Sequence, residues 1–291
     1  PFTKKESPKV KQSQQDPTKR YLNYLAGRDG CGYYRRGFVE NYINMTGHGD
    51  SATLTKMIGD KNFYMGVSTI TLQRQAAGHQ KNCIDMINMV DEVSVTCKYM
   101  KDLYMEKTDQ KNITVVPNFM PYSWTGYQYD YKKIIAAFDK NKKRPRIVYA
   151  GSGAHFDMKN QNGQQDDFTH VLKFIIDNRS KYQFVFIGAY PPPLQKYVIS
   201  REIEFHPWKN LLEYPTFIAS LEAQLFIAPL QDNAFNRSKS DIKFIEAAQL
   251  GIPCLCQDMV TYEGAPDFLK FKDVDELEER LDLLLNWKRR S

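Results

Sequence analysis

Residues 146–257 follow one pattern: short runs rich in Val, Ile, Phe and Tyr alternate with helix-like segments and end at glycine or at polar loops. Residues 146–150, 183–187, 202–205, 224–228 and 253–256 read as strands, the second ending at Gly188. Residues 167–178, 211–221 and 240–250 read as helices, the last closed by Gly251, and 274–287 as a final amphipathic helix. Strands that alternate with helices pair in parallel, because each crossover helix returns the chain to the same end of the sheet and covers one of its faces. The predicted fold class is α/β.

A second alternation lies upstream. It reads as strand 21–25, a glycine turn over 27–32, helix 33–45, strand 63–70, helix 73–90, strand 92–96, helix 98–107 and strand 113–116, ending at Pro117-Asn118. Between Pro117 and Pro145 the pattern gives way to Tyr, Lys and Gly, and the polar run 140–144 marks a linker. A chain of 291 residues suits two domains. The expectation is two Rossmann-like domains, 1–141 (opening with a flexible basic arm, 1–18) and 142–272, with the last helix, 273–291, crossing back to the first.

Charge divides along the chain. Residues 1–20 carry six Lys/Arg against two acids and 21–144 carry 17 against 12, whereas 145–287 carry 14 against 20. A basic first half is either a solvated face or a surface for a polyanion such as nucleic acid. The basic, Gln-rich start lacks the apolar core of a signal peptide, and no apolar run reaches the roughly 18 residues of a membrane span. The five scattered cysteines suit reduced thiols, so a cytoplasmic location without membrane attachment is expected. Cys254 and Cys256 lack a second pair at zinc spacing and read as small apolar strand residues.

Two motifs carry chemistry. In the first, a buried strand runs into Gly151-Ser152-Gly153-Ala154-His155, where small residues let backbone N–H groups approach a diphosphate. Phe156 stands where a dinucleotide fingerprint needs glycine, which disfavours a dehydrogenase. In the second, the strand 224–228 enters a polar loop with Arg237, Ser238, Lys239 and Ser240, then the helix opened by Asp241, Ile242 and Lys243. Its first turn offers unpaired N–H donors, and Glu246 lies about one and a half turns on, placed for ribose hydroxyls. By spacing alone, an ordinary crossover with a solvated Glu246 is an equal alternative. Asp166-Asp167 reads as a carboxylate pair capping a helix N-terminus rather than as a metal site.

Residues 146–263, about 40% of the chain, resemble the donor-binding half of retaining GT-B glycosyltransferases. The runs Gly-Ser-Gly-Ala-His-Phe-Asp, Phe205-His-Pro-Trp208, Ala-Pro-Leu-Gln-Asp-Asn and Phe-Asn-Arg-Ser-Lys-Ser-Asp-Ile-Lys-Phe-Ile-Glu resemble, more closely still, DNA glycosyltransferases of T-even-type phages. The N-terminal half matches through Gly-Cys-Gly-Tyr-Tyr-Arg35, Gln73-Arg74-Gln75 and Val116-Pro117-Asn118. The resemblance implies two Rossmann-like domains with a cleft between them and a UDP-sugar donor on the C-terminal one. No cofactor or metal is implied. His155, Arg237, Lys239 and Lys243 would neutralise the departing diphosphate, and His79 would contact the donor sugar. Gly151, Ser152, Gly153, Ala154, Ser238, Ser240, Asp241, Ile242 and Glu246 would line the donor pocket, with Gly30 and Gly32 in a loop near the sugar. Tyr34, Arg35 and Arg74 would face the acceptor. For His79, Arg35 and Arg74 an ordinary surface role is the alternative, and for the two glycines a plain turn. Where many such enzymes place a first glutamate, eight positions before Glu246, this chain has Ser238.

The resemblance further implies a monomeric enzyme, in the cytoplasm of an infected bacterium, that moves glucose or arabinose to hydroxymethylcytosine in double-stranded DNA. A cell-envelope glycan, lipid-linked sugar or protein acceptor would need the same chemistry, and the basic amphipathic segment 98–107 suits an approach to membranes. A nucleotide-sugar-binding protein without catalysis is the reading from another class.

Overall fold

The computed structural model describes residues 93–120, 124, 144–156, 167–210 and 212–285, together with 84, 85, 87 and 88. The chain divides into two compact units, 1–91 and 92–291, and the boundary expected after residue 141 falls inside the second.

Among its described residues, the second unit contains two parallel sheets. The smaller pairs β1 (Val93–Val95) with β2 (Ile113–Val115), joined by helix α1 (Lys98–Lys107). The larger consists of β3 (Arg146–Gly151), β4 (Gln183–Gly188), β5 (Glu204–His206), β6 (Leu225–Ala228), β7 (Cys254–Gln257) and β8 (Lys270–Phe271), in the order β5-β4-β3-β6-β7-β8. Strands covered by helices on both faces must be apolar along their length. The central segments RIVYAG, QFVFIG, LFIA and CLCQ are buried at nearly every position, with Cys254 and Cys256 inside β7. This strand order makes β3 and β6 the point where the two halves of the sheet diverge, leaving a crevice beyond their C-terminal ends.

The crossovers are helices α2 (Leu172–Asp177), α3 (Gln195–Ile199), α4 (Tyr214–Ser220), α5 (Ala234–Arg237) and α6 (Ile242–Gln249). A last helix, α7 (Val274–Leu285), carries Asp275 and Glu276 in its first turn, where carboxylates oppose the helix dipole. Its Leu277 and Leu281, one turn apart, enter the core of the larger sheet. Helix α2 begins five residues later than the sequence suggests. Residues 167–170 form a turn instead, because the Asp167 N–H donates to the His155 carbonyl at 3.1 Å and its carboxylate is engaged elsewhere. Asp167 therefore caps no helix, contrary to expectation; the residue preceding α2 is Val171, with no side-chain cap.

Aromatic rings form a floor at the C-terminal end of β3. Tyr149 meets Phe168 edge-on at 4.6 Å, and Phe156 and Phe186 complete the cluster, all nearly inaccessible to solvent. Burying each such ring contributes about 1.5–3 kcal/mol, so this floor is rigid. The Tyr149 hydroxyl lies where a Cβ on Gly151 would stand, 2.3 Å from it, so the strand end above the ring has room only for glycine.

Candidate functional site

The site lies past the C-terminal ends of β3 and β6. After β3, a single 3-10 turn (Gly153–His155) brings the His155 ring back over Tyr149, edge-on at 6.0 Å. After β6, the chain enters α5, whose N-terminus is capped by the Asn233 side chain accepting from Asn236 N–H at 2.9 Å. The loop 238–241 then leads into α6. These segments bring His155 against Lys239 and Lys243, 84 and 88 residues away in sequence.

His155 Nδ1 has two claimants, Asp167 Oδ2 at 2.7 Å and Lys239 Nζ at 3.2 Å. A carboxylate needs a proton on Nδ1 and an ammonium needs a lone pair there, so only one bond can form. The shorter distance and the opposite polarity select Nδ1–H donating to Asp167. Lys239 then pairs with the same carboxylate oxygen at 3.4 Å while lying 4.4 Å over the Phe235 ring. Nε2 is left as an acceptor, and Lys243 Nζ donates to it at 3.3 Å. Burial, and next the Lys243 ammonium, lower the His155 pKa from 6.5 to about 3 against the Asp167 hydrogen bond. The imidazole is therefore neutral near pH 7. For Asp167, burial favours the neutral acid, but the His155 hydrogen bond and the Lys239 charge outweigh it and hold the carboxyl well below the usual range.

A testable consequence is acid sensitivity. Between pH 6.5 and about 3 the unfolded chain binds a proton that folded His155 refuses. Stability is thus retained above pH 6.5 and lost as the pH falls, by up to about 1.4 kcal/mol per pH unit. Denaturant titrations at pH 6.5 and 5.0 should show a loss of roughly 1–2 kcal/mol that His155→Gln largely removes. Equal losses in the two proteins would contradict the buried neutral imidazole.

Other expected donor-pocket residues are distributed more widely. Gly151 ends β3, Ser152 precedes the 3-10 turn that contains Gly153 and Ala154, and Asp241, Ile242 and Lys243 open α6. Burial pushes the Asp241 carboxyl up, and its side chain makes no capping bond. Glu246 is buried, not solvated, and accepts from the Tyr214 hydroxyl at 3.4 Å, with Trp124 edge-on to Tyr214. Ser240 Oγ accepts from Asn118 Nδ2 at 2.6 Å, which ties the loop to the segment following β2. The Ser238 hydroxyl donates back to the Ala234 carbonyl at 2.8 Å. Arg237 is exposed and forms a two-pronged pair with Asp232 at 2.6 and 2.8 Å, which raises its pKa further. Gly30, Gly32, Tyr34, Arg35, Arg74 and His79 lie outside the described residues.

Compared by sequence, the chain matches no family model and no curated protein. By structure it resembles the sucrose-phosphate synthase of Thermosynechococcus elongatus, with a TM-score of 0.50 at 12% identity over 87% of this chain and 63% of that one. Weaker likenesses are to TarM (0.46, 13%, 74% of this chain and 41% of that) and to Anabaena HepE, solved in complex with UDP and glucose (0.46, 10%, 65% and 50%). The chain thus spans 41–63% of the length of these three chains. The sucrose-phosphate synthase has the GT-B architecture. The fold is GT-B α/β.

Asp167, Asn236, Asn118 and Tyr214 were not singled out from the sequence as site residues. Asp167 carried one signal: a carboxylate directly before Phe168, in a run whose Phe168, Val171 and Phe174 are all core residues. An acid in such company is buried or near the core, and a buried acid needs partners.

Proposed function

We propose that this chain is a nucleotide-sugar-dependent glycosyltransferase and that the crevice between β3 and β6 holds the diphosphate of its donor. What carries the reading is the meeting of Lys239, Lys243 and His155 at the switch point of the sheet, beside the first turn of α6. A diphosphate gathers negative charge as its bond to the sugar breaks, and cations fixed in place beforehand stabilise that charge better than mobile water does. Gly151 leaves the strand end bare, and the α6 N-terminus adds partial positive charge. Glu246 would receive the ribose of a uridine nucleotide. The transfer is retaining: the C1–O bond to the diphosphate breaks, a C1–O bond to the acceptor forms on the same face, and the acceptor proton passes to the leaving phosphate oxygen. It requires neither a protein nucleophile nor a divalent metal.

The acceptor we infer is hydroxymethylcytosine in duplex DNA, and the sugar glucose or arabinose. The excess of Lys and Arg in residues 1–144 supports it, since a base must be held by contacts to flanking phosphates while its hydroxymethyl group leaves the stack. Six or more phosphate contacts would lower DNA affinity at least about 10³-fold between about 50 and 200 mM salt. Removal of residues 1–20 should flatten that dependence, and binding unaffected by salt would count against a DNA acceptor. Mass spectrometry of hydroxymethylated DNA incubated with a panel of nucleotide sugars tests the whole reading. Transfer to envelope glycan or lipid-linked sugar in place of DNA would keep the donor chemistry and replace the acceptor. With no transfer and no slow donor hydrolysis, only a binding protein would remain.

A further inference from the structure

Asp167 is 4% exposed and collects donors from three segments of chain. Oδ1 accepts from the Gln231 backbone N–H at 3.0 Å and from Asn236 Nδ2 at 2.5 Å. Oδ2 accepts from His155 Nδ1 at 2.7 Å and pairs with Lys239 Nζ at 3.4 Å. Burying a carboxylate costs several kcal/mol, and pinning loops together does not demand a charge. The two partners on Oδ2 are an imidazole and an ammonium, two of the groups proposed above to meet the donor's phosphates. Among the described residues, the titratable or charged groups around the His155 ring are Asp167 from the turn before α2, Lys239 from the loop after α5, Lys243 from α6 and Tyr149 from β3.

We propose that Asp167 is the positioning residue of this site: it holds His155 with Nε2 toward the diphosphate, and it is the counter-charge that lets His155 take up a proton when the diphosphate binds. The identity of the anion rests on the glycosyltransferase reading. In the free protein two ammonium groups flank the imidazole and oppose a third positive charge. A bound diphosphate engages Lys239 and Lys243 and reverses the local field, while the Asp167 carboxylate stays on Nδ1–H. A proton from solvent then forms Nε2–H, which donates to a phosphate oxygen, and it returns to solvent when the nucleotide leaves. No other covalent bond changes; the hydrogen bond from Lys243 to Nε2 gives way to one from Lys243 to phosphate.

Calorimetric titration of the full chain with UDP at pH 7, in two buffers of different ionisation enthalpy, reads the proton directly. Uptake approaching about one proton per UDP is expected for the native chain and none for His155→Gln. Asp167→Asn should bind UDP without the uptake, and should lower kcat by about 10- to 100-fold with little change in the donor KM. Buffer-independent UDP binding by the native chain, or full uptake in Asp167→Asn, overturns the proposal. Should Asp167→Asn fail to fold, ¹⁵N-histidine spectra of the native chain decide. A proton on Nδ1 alone without UDP, and on both nitrogens with it, supports the proposal; an Nε2–H tautomer in the free protein overturns it. Absence of UDP binding would refute the glycosyltransferase reading, and pyrophosphate in the same two buffers would then test the proton coupling by itself.

Discussion

Lys239→Ala should lower turnover of a UDP-sugar donor by about 10²- to 10³-fold, the loss that follows removal of one preorganised donor from a developing negative charge. The ammonium is placed before any ligand arrives. Its side chain is 20% exposed, stacked on Phe235 and paired with Asp167, so little motion is needed to meet a phosphate. Alanine removes that charge and leaves the Asp167 carboxylate less compensated, so that it repels an incoming diphosphate. Arg237, two residues earlier, is a contrast. Its guanidinium is already held by Asp232 with both side chains about half exposed, and water screens such a pair. Arg237→Ala should therefore cost less than about tenfold. Donor hydrolysis rates without acceptor, measured beside thermal midpoints, separate chemistry from folding. If Lys239→Ala stays within tenfold of the native rate, Lys239 is not a leaving-group cation.

Gly188→Ala should destabilise the fold by about 2–4 kcal/mol, combining a left-handed backbone with an overpacked contact. Gly188 ends β4 with φ at 90°, and a Cβ there would stand 2.7 Å from the Gly151 carbonyl oxygen and 2.8 Å from the Trp208 ring. Trp208 is 58% exposed and can move aside, but Gly151 belongs to the central strand and is hydrogen-bonded into the sheet. For a unit of this size the thermal midpoint should fall by about 5–15 °C. Gly153→Ala is the stability control, because its nearest neighbour is the Ala189 Cβ at 4.0 Å and its φ is not left-handed. A midpoint for Gly188→Ala within 2 °C of the native one would show that the strand end yields more easily than its contacts imply.

Much of the fold is legible in the chain itself. Apolar runs bounded by Gly188 and Gly251 place β4 and α6 within a residue or two, because strand and helix signals lie within a few neighbouring positions. The short turns were not legible: α5 and the strand β8 are four and two residues long, too short for any period to register. At the site, the residue types around 151–155 and 237–246 mark a phosphate-binding loop and helix. Their arrangement follows no such local rule. Arg237 and Lys239 are alike as neighbouring cations in the sequence, yet one is tied to Asp232 at the surface and the other lies over Phe235 beside His155.

The alternation of elements, the parallel sheet and the stretches that bear the chemistry can be read from local residue patterns, since hydrogen bonding and burial of short segments depend on residues close together in the chain. The strand order that sets β3 beside β6, the seat of Asp167 within the site rather than on a helix end, and the His155 tautomer emerge once the chain is packed. Those depend on groups 12 to 88 residues apart, brought together by packing whose energy no short window of sequence contains.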